Sequence, residues 1–153
     1  ASLLNSGATC IAYETVTSAK GGLPLLAPMS LVAGRLSVQA GAHHMEIHQG
    51  GGGALLGGVP GVAPAKVLVL GGGVVGSSAI RVALGMGADV TVVDRSVERL
   101  GELDEQYRGQ LRTVYSTAEA IERHANDADL IIGAVLIPGA SAPKLISRDM
   151  LGQ

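Results

Sequence analysis

Residues 66–76 read KVLVLGGGVVG, which is a run of five strand-forming residues followed by a turn of glycines. Short aliphatic runs of this kind are typical of buried strands, and the glycines that follow fit the pattern G-x-G-x-x-G. From Val75 to Met86 the apolar residues return at helical spacing. A strand, a glycine turn and a helix in this order predict the first unit of a parallel α/β sheet, with a binding loop between strand and helix.

Each glycine of the motif has a separate physical task. Gly71 permits the tight turn from strand to helix, and Gly73, which has no Cβ, lets a pyrophosphate approach the backbone. Gly76 lets the helix lie close to the strand. The phosphates then meet free N–H groups at the helix N-terminus, where the helix dipole favours negative charge. The loop therefore predicts a site for a dinucleotide pyrophosphate.

A second predicted strand, residues 89–93, is followed by an acid suited to a ribose. Asp94 lies eighteen residues past Gly76, where a carboxylate accepts hydrogen bonds from the ribose 2′- and 3′-hydroxyls. The alternative is a solvated acid at a strand end, and the complete motif favours the ribose. A carboxylate repels a 2′-phosphate, which favours NAD. Arg95 is able to accommodate that phosphate, so NADP stays open.

Strand and helix patterns alternate along the rest of the chain, which predicts right-handed crossovers and a doubly wound Rossmann sheet. The predicted strands are 10–16, 66–70, 89–93, 112–115 and 130–135. The predicted helices are 28 to about 50, 75–86, 97–107 after Ser96 as N-cap, and one that a capping box at Ser116 opens, ending near Ala125. We expect one NAD-binding domain over 1–153, with a first strand and long helix in 10–50 and the Rossmann core in 65–140.

The strand order expected for such a domain is 3-2-1-4-5-6. The fourth core strand arrives at residues 130–135, and no fifth or sixth strand follows it. We therefore expect an incomplete sheet, with the second mononucleotide half truncated, from a longer protein.

The long predicted helix has one apolar face with residues at spacings of three and four. This face is formed by Met29, Val32, Leu36, Ala40, His43 and Ile47. Two interpretations remain open: the face packs against the chain's own sheet, or it forms a contact between subunits.

Composition narrows the class of protein. The 153 residues are 47% hydrophobic and only 2% aromatic, which predicts one domain with an aliphatic core. A net charge of −2 gives no reason to expect a nucleic-acid partner. The sequence shows no signal-peptide pattern and no apolar run suited to a membrane helix, so we expect a cytoplasmic protein without a membrane partner.

Other reactive residues are weaker candidates. Cys10 is the single cysteine, so no intrachain disulfide is expected. His44 and His48 are spaced to share a helical face, but no third ligand is evident and we expect no metal site. Lys20 and Lys144 have no sequence partner that marks them as catalytic.

Residues 11–35 (IAYETVTSAKGGLPLLAPMSLVAGR), the glycine loop and residues 134–145 (AVLIPGASAPKL) together resemble the bacterial alanine dehydrogenases. The proton-translocating NAD(P) transhydrogenases have a similar NAD-binding module in their alpha subunit, which is the alternative. The stretch from Pro24 to Arg35 is more similar to the alanine enzymes. The resemblance implies a parent enzyme that interconverts L-alanine with pyruvate and ammonia by hydride transfer to NAD, in a homo-oligomer that is usually hexameric.

The resemblance also implies cofactor contacts at individual positions. It assigns a cofactor contact to Ser30, backbone facing the pyrophosphate to Val74 and Val75, the ribose to Asp94, the adenosine side to Arg99, the adenine to Ser116, and a groove-lining backbone to Val135 and Leu136. For Arg99 the alternative is an exposed helix charge. The family's catalytic lysine, histidine and aspartate match no position here, so we expect no catalytic residue and no turnover of alanine by this chain alone.

Overall fold

The computed structural model describes residues 2–19, 21–139 and 141–151. Within these ranges four strands form one all-parallel sheet, namely β1 Lys66–Leu70, β2 Asp89–Asp94, β3 Leu111–Tyr115 and β4 Leu130–Gly133. The α-helices are α1 Ser2–Asn5, α2 Ala27–His44, α3 Val74–Gly85, α4 Val97–Tyr107 and α5 Ala118–Asn126. The strand order β3-β2-β1-β4 is that of the first four strands of a dinucleotide-binding sheet. The predicted Rossmann-like α/β fold is confirmed.

The strand register brings the carboxyl ends of the strands to one edge of the sheet. Leu70 pairs with Val93 on one side and with Gly133 on the other. Just past the ladder, the N–H of Gly71 donates to the Val93 carbonyl at 2.8 Å and the N–H of Ala134 to the Leu70 carbonyl at 2.8 Å. The segments that follow β1, β2 and β4 therefore begin side by side.

Both faces of the sheet are buried, as the continuous aliphatic strands predict. Val67 and Val69 of β1 face a core that also contains residues of α2, α3 and α4. Leu68 and Leu70 face a second core, formed with residues of α5. No aromatic side chain is among the buried core residues of the part of the chain that is described. The core is thus the aliphatic one that the composition predicts.

Serine and threonine hydroxyls begin two of the helices. Ser96 Oγ accepts a hydrogen bond from the Arg99 N–H at 3.1 Å, so the predicted N-cap of α4 is confirmed. The N-cap predicted for α5 is wrong by one residue, because Thr117 Oγ1 accepts from the Ala120 N–H at 3.0 Å. Ser116 therefore lies outside the helix, between β3 and the cap.

The strand predicted at residues 10–16 is wrong. This segment is exposed and contains a 3₁₀ turn, Tyr13–Thr15, in which Thr15 Oγ1 donates to the Ala12 carbonyl at 2.7 Å. Its β-branched and aromatic residues suit a strand only where a neighbouring strand and a buried face are present. Here the segment pairs with no strand of the sheet, so local hydrogen bonds determine its conformation.

The long helix is shorter than predicted and packs through a different face. It ends at His44 rather than near Gly50, and a 3₁₀ turn Ile47–Gln49 follows. The predicted apolar face is exposed, with Met29 at 41%, Val32 at 64% and Leu36 at 55%. Packing of this face against the chain's own sheet is therefore wrong for the described residues. The subunit contact stays a prediction.

The face of α2 that packs is made of small residues. Ser30, Gly34 and Val38 are buried. A Cβ on Gly34 would lie 2.2 Å from the Val75 carbonyl oxygen, so α2 approaches the first turn of α3 at backbone distance. Ser78 Oγ donates to the Leu31 carbonyl at 2.8 Å and joins the two helices. This contact fixes the first turns of α2 beside the glycine loop.

Candidate cofactor site

A cleft of about 790 Å³ lies at the carboxyl ends of the strands. Parallel α/β sheets bind ligands at this edge, and sites for small molecules and cofactors commonly have volumes of ~300–1,000 Å³. The cleft is lined by the glycine loop, by residues between 21 and 27 that lead into α2, and by residues 134–138 after β4. The carboxyl end of β2 and the residue after β3 complete the lining.

The cleft brings together nine of the eleven residues predicted to contact a cofactor. These are Ser30, Gly71, Gly73, Val74, Val75, Asp94, Ser116, Val135 and Leu136. Gly76 and Arg99 do not line the cleft: Gly76 lies beneath the loop, and the Arg99 side chain reaches the Gly72 carbonyl. Eight of the nine, all but Ser30, come from four separate segments at the carboxyl ends of the strands. The fold, and not the local sequence, therefore assembles the site.

The geometry of the three motif glycines fits their expected tasks. Gly71 has φ of 100°, a left-handed conformation in which glycine is favoured. A Cβ on Gly76 would lie 1.8 Å from the Gly71 carbonyl oxygen, so no side chain fits where helix and strand meet. A Cβ on Gly73 would meet nothing within 4 Å, and this residue is exposed in the cleft. The space above Gly73 is the one a pyrophosphate requires.

The N-terminus of α3 presents free donors to this space. Its N-cap is Gly73, which has no side chain to cap the helix. The N–H of Ser77 donates to the Gly73 carbonyl at 2.8 Å, whereas those of Val74 and Val75 have no backbone partner among the described residues. Both residues line the cleft. Unpaired N–H groups and the positive end of the helix dipole together suit an anion.

Asp94 is half-buried at the end of β2, and its carboxylate binds the loop as well as facing the cleft. Oδ2 accepts from the Gly72 N–H at 2.6 Å, and Oδ1 accepts from the Ser96 N–H at 2.8 Å. Each carboxylate oxygen has a further lone pair, which leaves it able to accept from a ribose hydroxyl. Arg95 follows, is exposed and also lines the cleft.

Two serine hydroxyls face the same volume. Ser30, on the first turn of α2, is only 9% exposed and lies in the wall of the cleft. Ser116 follows β3 and is half-buried. Within the described ranges neither hydroxyl makes a hydrogen bond to the protein. Both are therefore available as donors and acceptors for a polar ligand.

The apolar walls were not predicted as site residues. These walls are formed by Leu23, Leu26, Ile137, Pro138 and Leu145. The chain breaks at Gly21-Gly22 and at the two prolines after β4 indicated loops, but a loop signal does not tell which loop closes over a site. Lys20 lies outside the described residues, and Lys144 is exposed and does not line the cleft.

The histidines at the end of α2 do not share the helical face that their spacing predicts. Because α2 ends at His44, His48 lies in the following 3₁₀ turn and the two do not share one helical face. His48 Nε2 instead lies 3.0 Å from Glu46 Oε2. Across the residues that are described, no three His, Cys, Asp or Glu side chains are placed to hold a metal ion. No helix in the same residues is long and apolar enough to cross a membrane.

Comparison with known proteins gives a consistent result. The chain is 68% identical over 97% of its length to an alanine dehydrogenase of Halomonas elongata and 56% identical over 97% to one of Mycobacterium tuberculosis. It spans about 40% of the length of each of these relatives.

Solved structures show the same relationship. An L-alanine dehydrogenase superposes with a TM-score of 0.89 at 52% identity, over 97% of this chain and 41% of that one. A transhydrogenase from Sinorhizobium meliloti superposes with a TM-score of 0.67 at 27% identity, over 83% of this chain and 36% of that one. The family and the fold imply a nicotinamide nucleotide cofactor. Residues 37–153 match the family described as alanine dehydrogenase/PNT, C-terminal domain, and the chain belongs to that family.

Proposed function

We propose that this chain, residues 1–153 with its core at 65–140, is the NAD-binding domain of an L-alanine dehydrogenase. The complete enzyme would oxidatively deaminate L-alanine to pyruvate and ammonia with hydride transfer to NAD. The observation that carries the proposal is the cleft in which the glycine loop, Asp94 and Ser116 meet. The 68% identity to an alanine dehydrogenase supports the substrate.

The residues present fit a dinucleotide. The open space above Gly73 and the unpaired N–H groups of Val74 and Val75 suit its pyrophosphate. Asp94 and Ser116 lie where the adenosine half would extend, past β2 and β3. Ser30 and the backbone of Val135 and Leu136 would hold the other half. When bound, the nicotinamide ring supplies the hydride acceptor.

The apolar walls have a role in the same proposal. Leu23, Leu26, Ile137 and Pro138 all line the cleft. Apolar side chains exclude water from the part of the cofactor that they cover, which strengthens every polar contact inside. This chain therefore binds and orients the cofactor, and we expect the proton-transfer groups to come from elsewhere in the complete enzyme.

Asp94 supports NAD rather than NADP. Its carboxylate would accept from both ribose hydroxyls and would repel a phosphate on the 2′-oxygen. Arg95 is the residue able to oppose this preference, because it also lines the cleft. Calorimetric titration with NAD and with NADP measures which of the two nucleotides Asp94 and Arg95 together favour. We expect clearly tighter binding of NAD, and equal affinities would contradict the proposed specificity.

Substitution of Asp94 tests the ribose contact. We expect Asp94→Ala to lower the NAD-to-NADP affinity ratio by at least about tenfold, because a charge-assisted contact contributes ~1.5–3 kcal/mol. The ratio is the diagnostic quantity, since loss of the Gly72 contact weakens both nucleotides together. The matched control is Asp104→Ala, which removes an exposed aspartate of α4 that lies outside the cleft. An unchanged ratio in Asp94→Ala would exclude the ribose role.

The alternative is the NAD-binding module of a proton-translocating transhydrogenase alpha subunit. The superposition with the Sinorhizobium meliloti transhydrogenase supports it, but at 27% identity against 52% for the L-alanine dehydrogenase structure. Assay of the complete protein separates the two. We expect reduction of NAD that depends on L-alanine, with pyruvate as product. Hydride exchange between nucleotides without any dependence on L-alanine would support the alternative.

We also propose that the complete enzyme is a cytoplasmic homo-oligomer, a hexamer. The exposed apolar residues Met29, Val32 and Leu36 on α2 support a subunit contact, because a row of apolar side chains on one helix face suits burial against a partner. Sedimentation velocity tests this proposal. A protein that stays monomeric at micromolar concentration would contradict it.

A further inference from the structure

The peptide groups on both sides of the second loop glycine are held in place. The Gly72 N–H donates to Asp94 Oδ2 at 2.6 Å. The Gly72 carbonyl oxygen accepts two hydrogen bonds, from Ser77 Oγ at 2.9 Å and from Arg99 Nε at 2.8 Å. Gly72 is also buried, and a Cβ there would lie 2.8 Å from Leu103 Cδ1. Of the three consecutive glycines, the middle one thus makes the most hydrogen bonds within the described residues.

Arg99 and Ser77 are themselves joined. Arg99 Nη2 donates to Ser77 Oγ at 2.7 Å, and Nη1 contacts the Glu102 carboxylate. Arg99 is anchored at its backbone as well, because its N–H is the one that Ser96 caps. The planar fork of a guanidinium allows Nε and Nη2 to reach two acceptors at once, which a lysine ammonium on a flexible stem does not reproduce.

We propose that Arg99 and Ser77 are positioning residues that fix the Gly72 carbonyl on the far side of the loop from the cofactor. Neither residue lines the cleft, whereas Gly71 and Gly73 on either side of Gly72 both do. With the Gly72 carbonyl held away, the loop keeps the free N–H groups at the start of α3 directed at the pyrophosphate. The proposal rests on the proposed function and adds a role for two residues behind the site.

The physical reason is the freedom of a glycine-rich backbone. Glycine loses more conformational freedom on ordering than any other residue, so an unrestrained loop of three glycines would lose that freedom when a ligand binds. Hydrogen bonds made before binding remove this cost from the affinity. Arg99 therefore acts on the pyrophosphate through the loop, which differs from the direct contact with the adenosine side that the family resemblance implies.

Two ligands separate these roles. ADP-ribose carries the pyrophosphate, and adenosine carries none. Both are measured on the same protein by displacement of bound NADH. We expect Ser77→Ala to weaken ADP-ribose by roughly three- to tenfold, because it removes the hydrogen bond to the Gly72 carbonyl and the acceptor of Arg99 Nη2. Adenosine should bind unchanged. The matched control is Ser37→Ala, which removes a similar serine-to-carbonyl bond on α2 and should leave both ligands unchanged.

Arg99 variants give an independent test. We expect Arg99→Lys and Arg99→Met to weaken ADP-ribose similarly, because neither keeps the two-pronged contact, with adenosine again unchanged. Equal weakening of both ligands, or full rescue by lysine, would show a direct or purely charge-based role and overturn the positioning proposal. If the unsubstituted protein binds neither ligand, the proposed function fails instead. Thermal unfolding of each variant confirms that a folded protein is being measured.

Discussion

The two ends of the parallel sheet both carry charged residues, and the protein uses these residues differently at each end. At the amino end, Lys66 Nζ lies 2.7 Å from Asp127 Oδ1, and the Lys66 N–H donates to Asp129 Oδ2 at 2.8 Å. The hollow that Lys66 and Asp127 line measures about 20 Å³. At the carboxyl end, the cleft measures about 790 Å³, and the N–H groups of Val74 and Val75 lack backbone partners. Polar groups pair with one another at one end and face open space at the other.

This difference shows what distinguishes a ligand-binding site from an end of the sheet whose polar groups are already paired. Charged residues are present at both ends, so charge alone does not mark the site. The distinguishing features are space and donors that the protein leaves unused. Removing a group that lines the cleft at the carboxyl end should change ligand affinity, and removing one at the amino end should change only stability.

Gly76→Ala should have the largest effect, because it disrupts the carboxyl end itself. Its Cβ would lie 1.8 Å from the Gly71 carbonyl oxygen, and neither backbone has room to move without loss of the strand–helix contact. We expect a loss of about 3 kcal/mol in the free energy of unfolding, or roughly 6–12 °C in Tm, together with loss of NAD binding. Calorimetry measures both. A variant with unchanged Tm would contradict the close contact.

Gly73→Ala should lower the affinity for NAD and leave the stability of the fold almost unchanged. A Cβ at Gly73 would meet no protein atom within 4 Å, so we expect Tm to change by less than about 3 °C. The methyl group would occupy the space assigned to the pyrophosphate, and NAD affinity should fall by tenfold or more, on the order of 1.4 kcal/mol. Titration of both glycine variants gives the comparison. An unchanged NAD affinity in Gly73→Ala would show that the pyrophosphate does not bind above Gly73.

Ser116 and Thr117 form a matched pair at the same edge. Thr117→Ala removes the N-cap of α5 and should cost about 1 kcal/mol of stability without changing NAD affinity. Ser116→Ala should leave stability unchanged and weaken NAD about threefold, because its hydroxyl lines the cleft. Denaturant unfolding and titration of each variant provide the test. The reverse result would mean that the cap is at Ser116.

Asp127→Asn should have the smallest effect. The side-chain hydrogen bond between Asp127 and Lys66 lowers the pKa of Asp127 and raises the pKa of Lys66. The contribution of Asp127 is thus present above the ordinary pKa of an aspartate and lost as pH falls through the lower folded value. That of Lys66 is lost as pH rises through its own raised value.

Both side chains are exposed, so we expect Asp127→Asn to lower Tm by only about 1 °C at pH 7. The difference from the unsubstituted protein should vanish near pH 2, where the carboxyl is protonated. Thermal scans at the two pH values measure this. NAD affinity at pH 7 should not change, and a change there would contradict the separation of the two ends.

Much of the fold was predictable because parallel strands buried on both faces are continuous aliphatic runs. The local sequence pattern predicts β1 directly, and it also predicts α4 together with its Ser96 cap. The long helix shows where pattern fails. Periodicity selects the largest apolar residues, such as Val32 and Leu36, but backbone contact with α3 requires small ones, Ser30 and Gly34. Periodicity therefore found an exposed apolar face and not the face of small residues through which the helix packs.

The candidate site shows the same limit. Gly73 and Asp94 are recognisable because the spacing of a motif is local information. The direction in which the Arg99 side chain points depends on how α4 packs beside the loop, and the sequence alone does not supply it. The apolar walls were missed for a similar reason, since residues 21–27 and 134–138 meet only in the folded chain.

The aliphatic core has an optical consequence. The chain contains no tryptophan and no phenylalanine, and its three tyrosines are the only aromatic residues besides histidine. The emission of a bound reduced nicotinamide nucleotide is thus observed without any indole signal beside it. A single tryptophan placed at an exposed position beside the cleft, Tyr115→Trp, would give energy transfer to the bound nucleotide from one known donor, and so would report occupancy of the cleft directly.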